Sequence, residues 1–222
     1  MPANLQTALS FLEDLKFNNN REWFTANRKR YDESRAAFEA LVADVMGKFA
    51  PVEDLGKTAV KDCIFRINRD VRFSKDKSPY KSNLGALIGN GGRKSAGRSY
   101  YINLEPGESF IAGGVYDPQP ETLKHIRAAI AEKPTQLRKI ISNKDFVKFF
   151  GDLRGDSLKT SPKGYASDHP AIDLLKRKQF LALHLLNDDD VLKDDFAAHI
   201  VEVCKVLKPF EGYFVALRGE GG

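Results

Sequence analysis

Apolar residues recur along the chain with two periods, and the change of period divides it. Leu5, Ala8, Leu9, Leu12 and Leu15 fall at helical spacing, which predicts an amphipathic helix over about 4–17. Asn18-Asn19-Asn20 interrupts it. Asn19 followed by Glu22 has capping-box spacing and predicts a second helix carrying Trp23, Phe24, Asn27, Arg28 and Tyr31. A third helix, with Phe38, Leu41, Val42, Val45, Met46 and Phe49 on one side, is expected to end near Pro51. From Val60 the period becomes two. Cys63, Phe65, Ile67, Val71 and Phe73 then fall on one side of an extended segment, and Arg66, Asn68, Asp70 and Arg72 on the other.

Leu84-Gly85-Ala86-Leu87-Ile88 predicts another strand, closed by Gly89 and Asn90-Gly91-Gly92. Ser99 to Leu104 and Ser109 to Val115 predict a hairpin around Glu105-Pro106-Gly107-Glu108, a favourable turn sequence. Helices are expected to begin near Pro120 and Pro134, with proline in the first turn. Phe180 to Leu186 has strand length, and Leu192, Phe196, Ile200, Val203 and Leu207 mark a last amphipathic helix. Helices at both ends and hairpin-connected strands between them predict an α+β fold. Its central sheet is expected to be largely antiparallel, with helices from both chain ends packed on one face and the other face accessible. No long linker divides the chain, so a single domain over 1–222 is expected.

Composition adds exclusions. Of 222 residues, 42% are apolar and 29% charged, which is ordinary globular usage and argues against a disordered or fibrous chain. No apolar stretch is long enough for a membrane span, and Met1-Pro2-Ala3-Asn4 begins no secretory signal. Cys63 and Cys204 form neither a disulfide framework nor a C-x-x-C pair, which points to a reduced, cytoplasmic protein. The four histidines show no metal-binding spacing, and no cofactor or metal is expected.

Charge changes the picture more. Lys57 to Arg98 holds eleven basic and three acidic residues, a net of +8 against +5 for the whole chain. Such a local excess concentrates anionic partners. At its centre, Arg66, Asn68, Asp70 and Arg72 would project from one strand face at intervals of about 6.6 Å. Two guanidiniums with polar groups between them suit a phosphate or carboxylate. Lys75, Lys77 and Lys81 extend this surface, and the glycine-rich Gly89 to Arg98 loop could bring backbone N–H groups to the same anion. The competing reading is a solvated basic face, with Arg66 paired to Asp70 and Arg69 to Asp62 or a C-terminal acid. Alternation puts Arg69 on the apolar side, where it would need an acidic or carbonyl partner.

The segment FRINRDVRFSKDKSPYK resembles the signature of the family called domain of unknown function 2461, whose members are mostly bacterial. NNNREWFTANRKRY, YYINLEPGESFIAGGVYDPQPETLKHIRAAI and GYASDHPAIDLLKRKQF agree in order, so the resemblance runs from about Leu5 to Leu207. It implies one compact domain and brings no assigned activity, ligand or catalytic residue. The site residues therefore come from the residue pattern alone.

Weaker candidates remain. Arg21, Phe24, Arg28 and Tyr31 form one helical stripe, either a wall of the anion site or an aromatic core edged by arginines. Asp168-His169-Pro170 is either an oriented general base or a helix start. Ser74 and Ser78 lie among lysines, without a visible oxyanion hole. The leading expectation is a domain that binds a phosphorylated anion: a nucleotide, a sugar phosphate or a nucleic-acid backbone. Arg66, Arg69, Arg72, Lys75, Lys77 and Lys81 would supply charge, with Asn68, Asp70 and Tyr80 beside them. The rivals are an enzyme acting on a phosphorylated small molecule, with Asp70, Asp76 or His169 as acid or base, and a module for a nucleic-acid or protein partner. No membrane partner is expected, and the oligomeric state is left open.

Overall fold

A computed structural model describes residues 4–219, with side chains through 217. Met1, Pro2 and Ala3, on which the absence of a leader was partly read, lie outside the described residues. In chain order the elements are α1 (Leu5–Phe17), α2 (Arg21–Ala26), α3 (Arg28–Phe49), α4 (Val60–Cys63), β1 (Leu84–Gly89), β2 (Ser99–Leu104) and β3 (Ser109–Val115). They continue with α5 (Pro120–Glu132), α6 (Pro134–Ile141), α7 (Lys144–Phe150), α8 (Ile172–Leu175), β4 (Phe180–Leu186), α9 (Asp188–Val191) and α10 (Phe196–Gly219). The fold is α+β. Its four strands form an antiparallel sheet in the order β1-β2-β3-β4, and Leu84 faces Leu104 at one end of the first pair while Gly89 faces Ser99 at the other.

The chain divides into two compact units. Among the described residues, one comprises 4–111 and 185–202, the other 112–184 and 203–219. In the first, α1 buries Leu5, Ala8, Leu9, Phe11, Leu12 and Leu15, the stripe its spacing predicts. The next helix starts one residue later than expected: the Asn20 side chain, not that of Asn19, accepts from the Trp23 N–H at 2.9 Å. Asn27 then ends α2 and opens α3, so the predicted stripe from Arg21 to Tyr31 lies on two short-connected helices. α3 packs on β1, with the Phe49 and Tyr100 rings edge to face at 5.0 Å. Below them the buried Glu53 carboxylate takes a two-pronged hydrogen bond from Arg98 and another from the Tyr100 hydroxyl at 3.1 Å, as a buried charge requires.

In the second unit, Phe146, Phe180, Phe210 and Phe214 are buried together. Gly114, at φ +113°, is required there. A Cβ on it would stand 2.0 Å from the Phe180 carbonyl oxygen, and its N–H donates to the buried Glu211 carboxylate. So α10 from the C-terminal end packs on β3 and β4, as α3 from the N-terminal end packs on β1. No helix among the described residues is long and apolar enough to cross a membrane.

The clearest departure from the sequence reading is the segment 63–73, expected as a strand. The buried residues there are Cys63, Ile64 and Ile67, which do not alternate, and Phe73, expected on the apolar side, is 97% exposed. Ile64 bridges Ala86 and Asn68 bridges Tyr80, each as an isolated pair. Around the second bridge, the Arg69 N–H donates to the Pro79 carbonyl at 2.9 Å and the Lys81 N–H to that of Ile67 at 2.8 Å. Residues 67–69 and 79–81 thus pair across a loop, 70–78. Two aspartates fold that loop locally: Asp70 accepts from the Arg72 N–H and Asp76 from the Ser78 N–H. Such side-chain turns compete with a ladder, and Pro79 has no N–H to extend one.

Candidate functional site

Everything that positions this region belongs to the first unit. The far end of the paired segment is fixed by Asn19. Its side-chain amide donates to the Tyr80 carbonyl at 2.9 Å and accepts from the Tyr80 N–H at 3.0 Å. The Tyr80 ring stacks on Phe24 at 3.9 Å, within an aromatic group that includes Phe11, Trp23 and Tyr31. Phe24 and Tyr31 are buried, and Arg28 pairs with Asp32 while lying over the Tyr31 ring, so this stripe is core edged by arginine.

The predicted cations do not share one face. Arg69 is half-buried and donates to the Asp76 carboxylate, to the Ser78 carbonyl at 3.4 Å and to the Ser74 hydroxyl at 3.4 Å. It therefore has both an acid and a carbonyl, the acid being Asp76 rather than Asp62. Arg72 forks onto Asp70 at 3.0 and 2.7 Å, so Asp70 pairs with Arg72 and not with Arg66. The ammonium of Lys77 donates to the Val71 carbonyl at 3.0 Å, and Lys75 and Asn68 are exposed. Hydrogen bonds from Ser78, then from Arg69, hold the Asp76 carboxyl well below the usual carboxylate range, and those from Arg72 lower that of Asp70.

Two cavities border Lys81. One, of about 390 Å³, includes Lys16, Asn19, Arg69, Asp76, Tyr80 and Lys81 in its wall. The other, of about 480 Å³, is lined by Asp62, Phe65, Arg66, Lys81, Gly91, Arg93 and Lys94. In the second cavity, Arg66, Lys81 and Lys94 make no ion pair among the described residues, although the Arg66 charge is near enough to Asp70 to help lower its pKa. The Arg93 guanidinium donates to the backbone carbonyls of Asp62 at 3.0 Å and Lys61 at 3.5 Å, which orients it without neutralising it. The one acid, Asp62, caps α4 by accepting from the Ala59 N–H at 3.1 Å. The Lys81 ammonium lies 5.4 Å from the centre of the Phe65 ring. Burial, then the neighbouring Arg66 charge, lowers its pKa.

The glycine loop supplies side chains more than backbone. The Gly91 N–H is taken by the Thr58 hydroxyl at 2.8 Å, and those of Lys94 and Ser95 by the carbonyls of Gly91 and Gly92. The expected cradle of N–H groups is thus largely spent inside the loop. Arg93, Lys94 and Phe65 were not singled out by the sequence reading. For Arg93 and Lys94 the signal was their place in the +8 window, next to Gly91-Gly92; Phe65 had been placed on the apolar side of its segment.

Other candidates resolve locally. The Nδ1 of His169 accepts from the Ala171 N–H at 3.0 Å just before α8, so the ring caps a chain turn. Burial pushes the Cys63 thiol up to about 11 and raises that of Cys204, which disfavours a thiolate nucleophile at either. Among the described residues no group of three or more metal-ligating side chains converges.

Over residues 7–213 the chain matches the family described as "Conserved hypothetical protein (DUF2461)", and it belongs to that family. No curated protein and no solved structure gives a significant match.

Proposed function

We propose that this protein binds a phosphorylated small molecule, and that the anionic group sits in the cavity bordered by Arg66, Lys81, Arg93 and Lys94. The observation that carries this reading is the imbalance of charge at that wall: four cations face one acid, Asp62, already engaged with the Ala59 N–H. A cleft of about 480 Å³ has the size of a small-ligand site. Arg66 and Arg93 can each offer a fork of donors to phosphate oxygens. Of the residues first expected to bind, Arg66 and Lys81 belong to this wall. Arg69, Asp70 and Arg72 serve the loop, Lys77 is held to it, Tyr80 anchors the segment, and Asn68 and Lys75 lie outside the wall.

Titration calorimetry with pyrophosphate tests the reading. Binding is expected in the wild type. Arg66→Ala, which removes no intramolecular ion pair, is expected to weaken it by about tenfold or more, the equivalent of the ~1.5–3 kcal/mol of a hydrogen bond to a charged group. Equal affinity in the variant, or no binding in the wild type, overturns it.

A second reading rests on a separate observation. Phe73 is 97% exposed on the 70–78 loop, with the Arg72 guanidinium 5.9 Å from its ring centre and Lys75 and Lys77 beside it. An exposed aromatic among cations is the arrangement on which unpaired bases stack. If single-stranded nucleic acid binds there, Phe73→Ala should weaken it by about 1–3 kcal/mol. Affinity for an oligonucleotide that is unaffected by this change excludes that reading.

A further inference from the structure

The cationic cavity contains one group that can do more than attract charge. Arg66, Arg93 and Lys94 are exposed, whereas Lys81 is half-buried and borders both cavities, so its amine can be approached from either. Its backbone is immobilised. The Lys81 N–H is bonded to the Ile67 carbonyl, and the preceding residue is clamped by Asn19. Its ammonium rests over the Phe65 ring, with no carboxylate holding it in the charged form. The other lysines of the region differ: Lys16 donates to the Pro106 carbonyl at 2.9 Å, Lys77 to that of Val71, and Lys75 stands in solvent.

We infer that Lys81 is a nucleophilic amine that forms an imine with a phosphorylated aldehyde or ketone, while Arg66, Arg93 and Lys94 hold the phosphate. This rests on the anion-binding reading and adds a reaction to it. The ammonium first gives one proton to solvent. The nitrogen lone pair then attacks the carbonyl carbon, and the C=O π electrons move to oxygen, which takes up a proton. The nitrogen passes its second proton to that hydroxyl, and the C–O bond breaks as water leaves. A C=N bond has replaced C=O, one water is released, and the protonated imine keeps the single positive charge of the starting ammonium. No oxidant or further reactant is needed.

The surroundings favour the first step. The Phe65 face favours the ammonium, but withdrawal from water and a like charge nearby favour the neutral amine, the usual way a lysine is activated towards carbonyls. Facing it are Arg66, Arg93, Lys94 and Asp62 across one cavity, and Lys16, Arg69 and Asp76 across the other. The two acids are engaged elsewhere, Asp62 with the Ala59 N–H and Asp76 with Ser78 and Arg69. Neither makes an ion pair with the Lys81 ammonium.

Pyridoxal phosphate, a phosphorylated aldehyde, is the probe. The full chain is treated with an equimolar amount in mildly alkaline buffer, reduced with borohydride, digested and mapped by peptide mass spectrometry. Most of the label is expected on Lys81. Excess pyrophosphate should suppress it, pyridoxal without the phosphate should give far less, and Lys81→Arg should remove it while other lysines keep their trace labelling. Label spread over the exposed lysines, or indifferent to pyrophosphate, overturns the inference. Pyrophosphate binding by calorimetry separates the two claims. If pyrophosphate binds and Lys81 stays unlabelled, the reactive amine is wrong and the binding reading stands. If pyrophosphate does not bind, the binding reading fails and the amine fails with it.

Discussion

The two cavities beside Lys81 have similar walls, each with more cations than acids, but differ in how those charges are paired. Each contains other cations and one aspartate. In the smaller, Arg69 is locked to Asp76 and Lys16 is tied to a carbonyl. In the larger, the aspartate caps α4, and Arg66, Lys81 and Lys94 make no ion pair among the described residues. What separates them is the position of one carboxylate relative to a chain turn. Asp76 sits inside its loop, where it reaches the Ser78 N–H, the Ser78 hydroxyl and Arg69 together. Asp62 sits at a helix start, where the backbone claims it. Both acids accept from a main-chain N–H, and only Asp76 also pairs with a cation of its wall, so a basic stretch keeps unpaired cations where its acids form no ion pair with them.

The contrast can be broken from the wall inward. The largest effect is expected from Gly92→Ala. Gly92 has φ +57°, and a Cβ there would lie 2.5 Å from the Asp62 carbonyl oxygen. Left-handed backbone and a clash with main chain together should cost about 2–4 kcal/mol in urea unfolding. They should also weaken pyrophosphate binding although every cation is still present. Full stability in this variant would mean that the glycine loop does not shape the open cavity. Next comes Asn19→Ala, which removes both bonds to the Tyr80 backbone. A loss of about 1–3 kcal/mol is expected in the same assay, the cost of leaving part-buried backbone groups unpaired.

Smaller effects sharpen the comparison. Arg66→Met should change stability by less than about 0.5 kcal/mol, as a surface change that breaks no bond. Arg69→Met should lower it measurably, since it strips Asp76 of a partner. The reverse order would make the open cavity the structural one. Acid titration should give the faintest signal. The folded-state pKa of Asp76 lies below its unfolded value of about 3.9. The unfolded chain therefore binds more protons, and the stabilisation is full above that value and lost as pH falls through it towards the folded one. Asp76→Asn should flatten the acid limb of stability against pH, and an unchanged limb would show that the loop pairing contributes nothing.

Regular elements were legible because one interaction dominates each. The hairpin around Pro106-Gly107 was read at its observed ends, and α5 and α6 begin at the prolines that announced them. Helix α7 escaped notice: it is short, and Phe146 and Phe150 are its only buried residues. The segment 63–73 was misread because alternation of residue type was taken for alternation of burial, while Asp70, Asp76 and Pro79 favour local turns. The α2 cap slipped by one because three successive asparagines offer equivalent side chains, and only tertiary contact with Tyr80 decides which is left to cap. The basic region was visible as a charge count, but the pairing of Arg69 and Arg72 and the place of Arg93 were not. Those depend on contacts between residues far apart in sequence.

The Asn19 clamp has a further consequence for how this region tolerates changes of length. The segment from Ile64 to Tyr80 is held at pins, the Ala86 bridge, the short 67–69 and 79–81 pairing and the asparagine amide, with no continuous ladder. Between pins, chain can be added cheaply, since the closure cost of a loop grows only with the logarithm of its length. The 70–78 tip can therefore be lengthened by a few residues at small cost to what lies beyond it. One residue inserted between Tyr80 and Leu84 has no such slack. Placed ahead of Lys81, it would take that residue out of register with Ile67 and turn the lysine away from both openings.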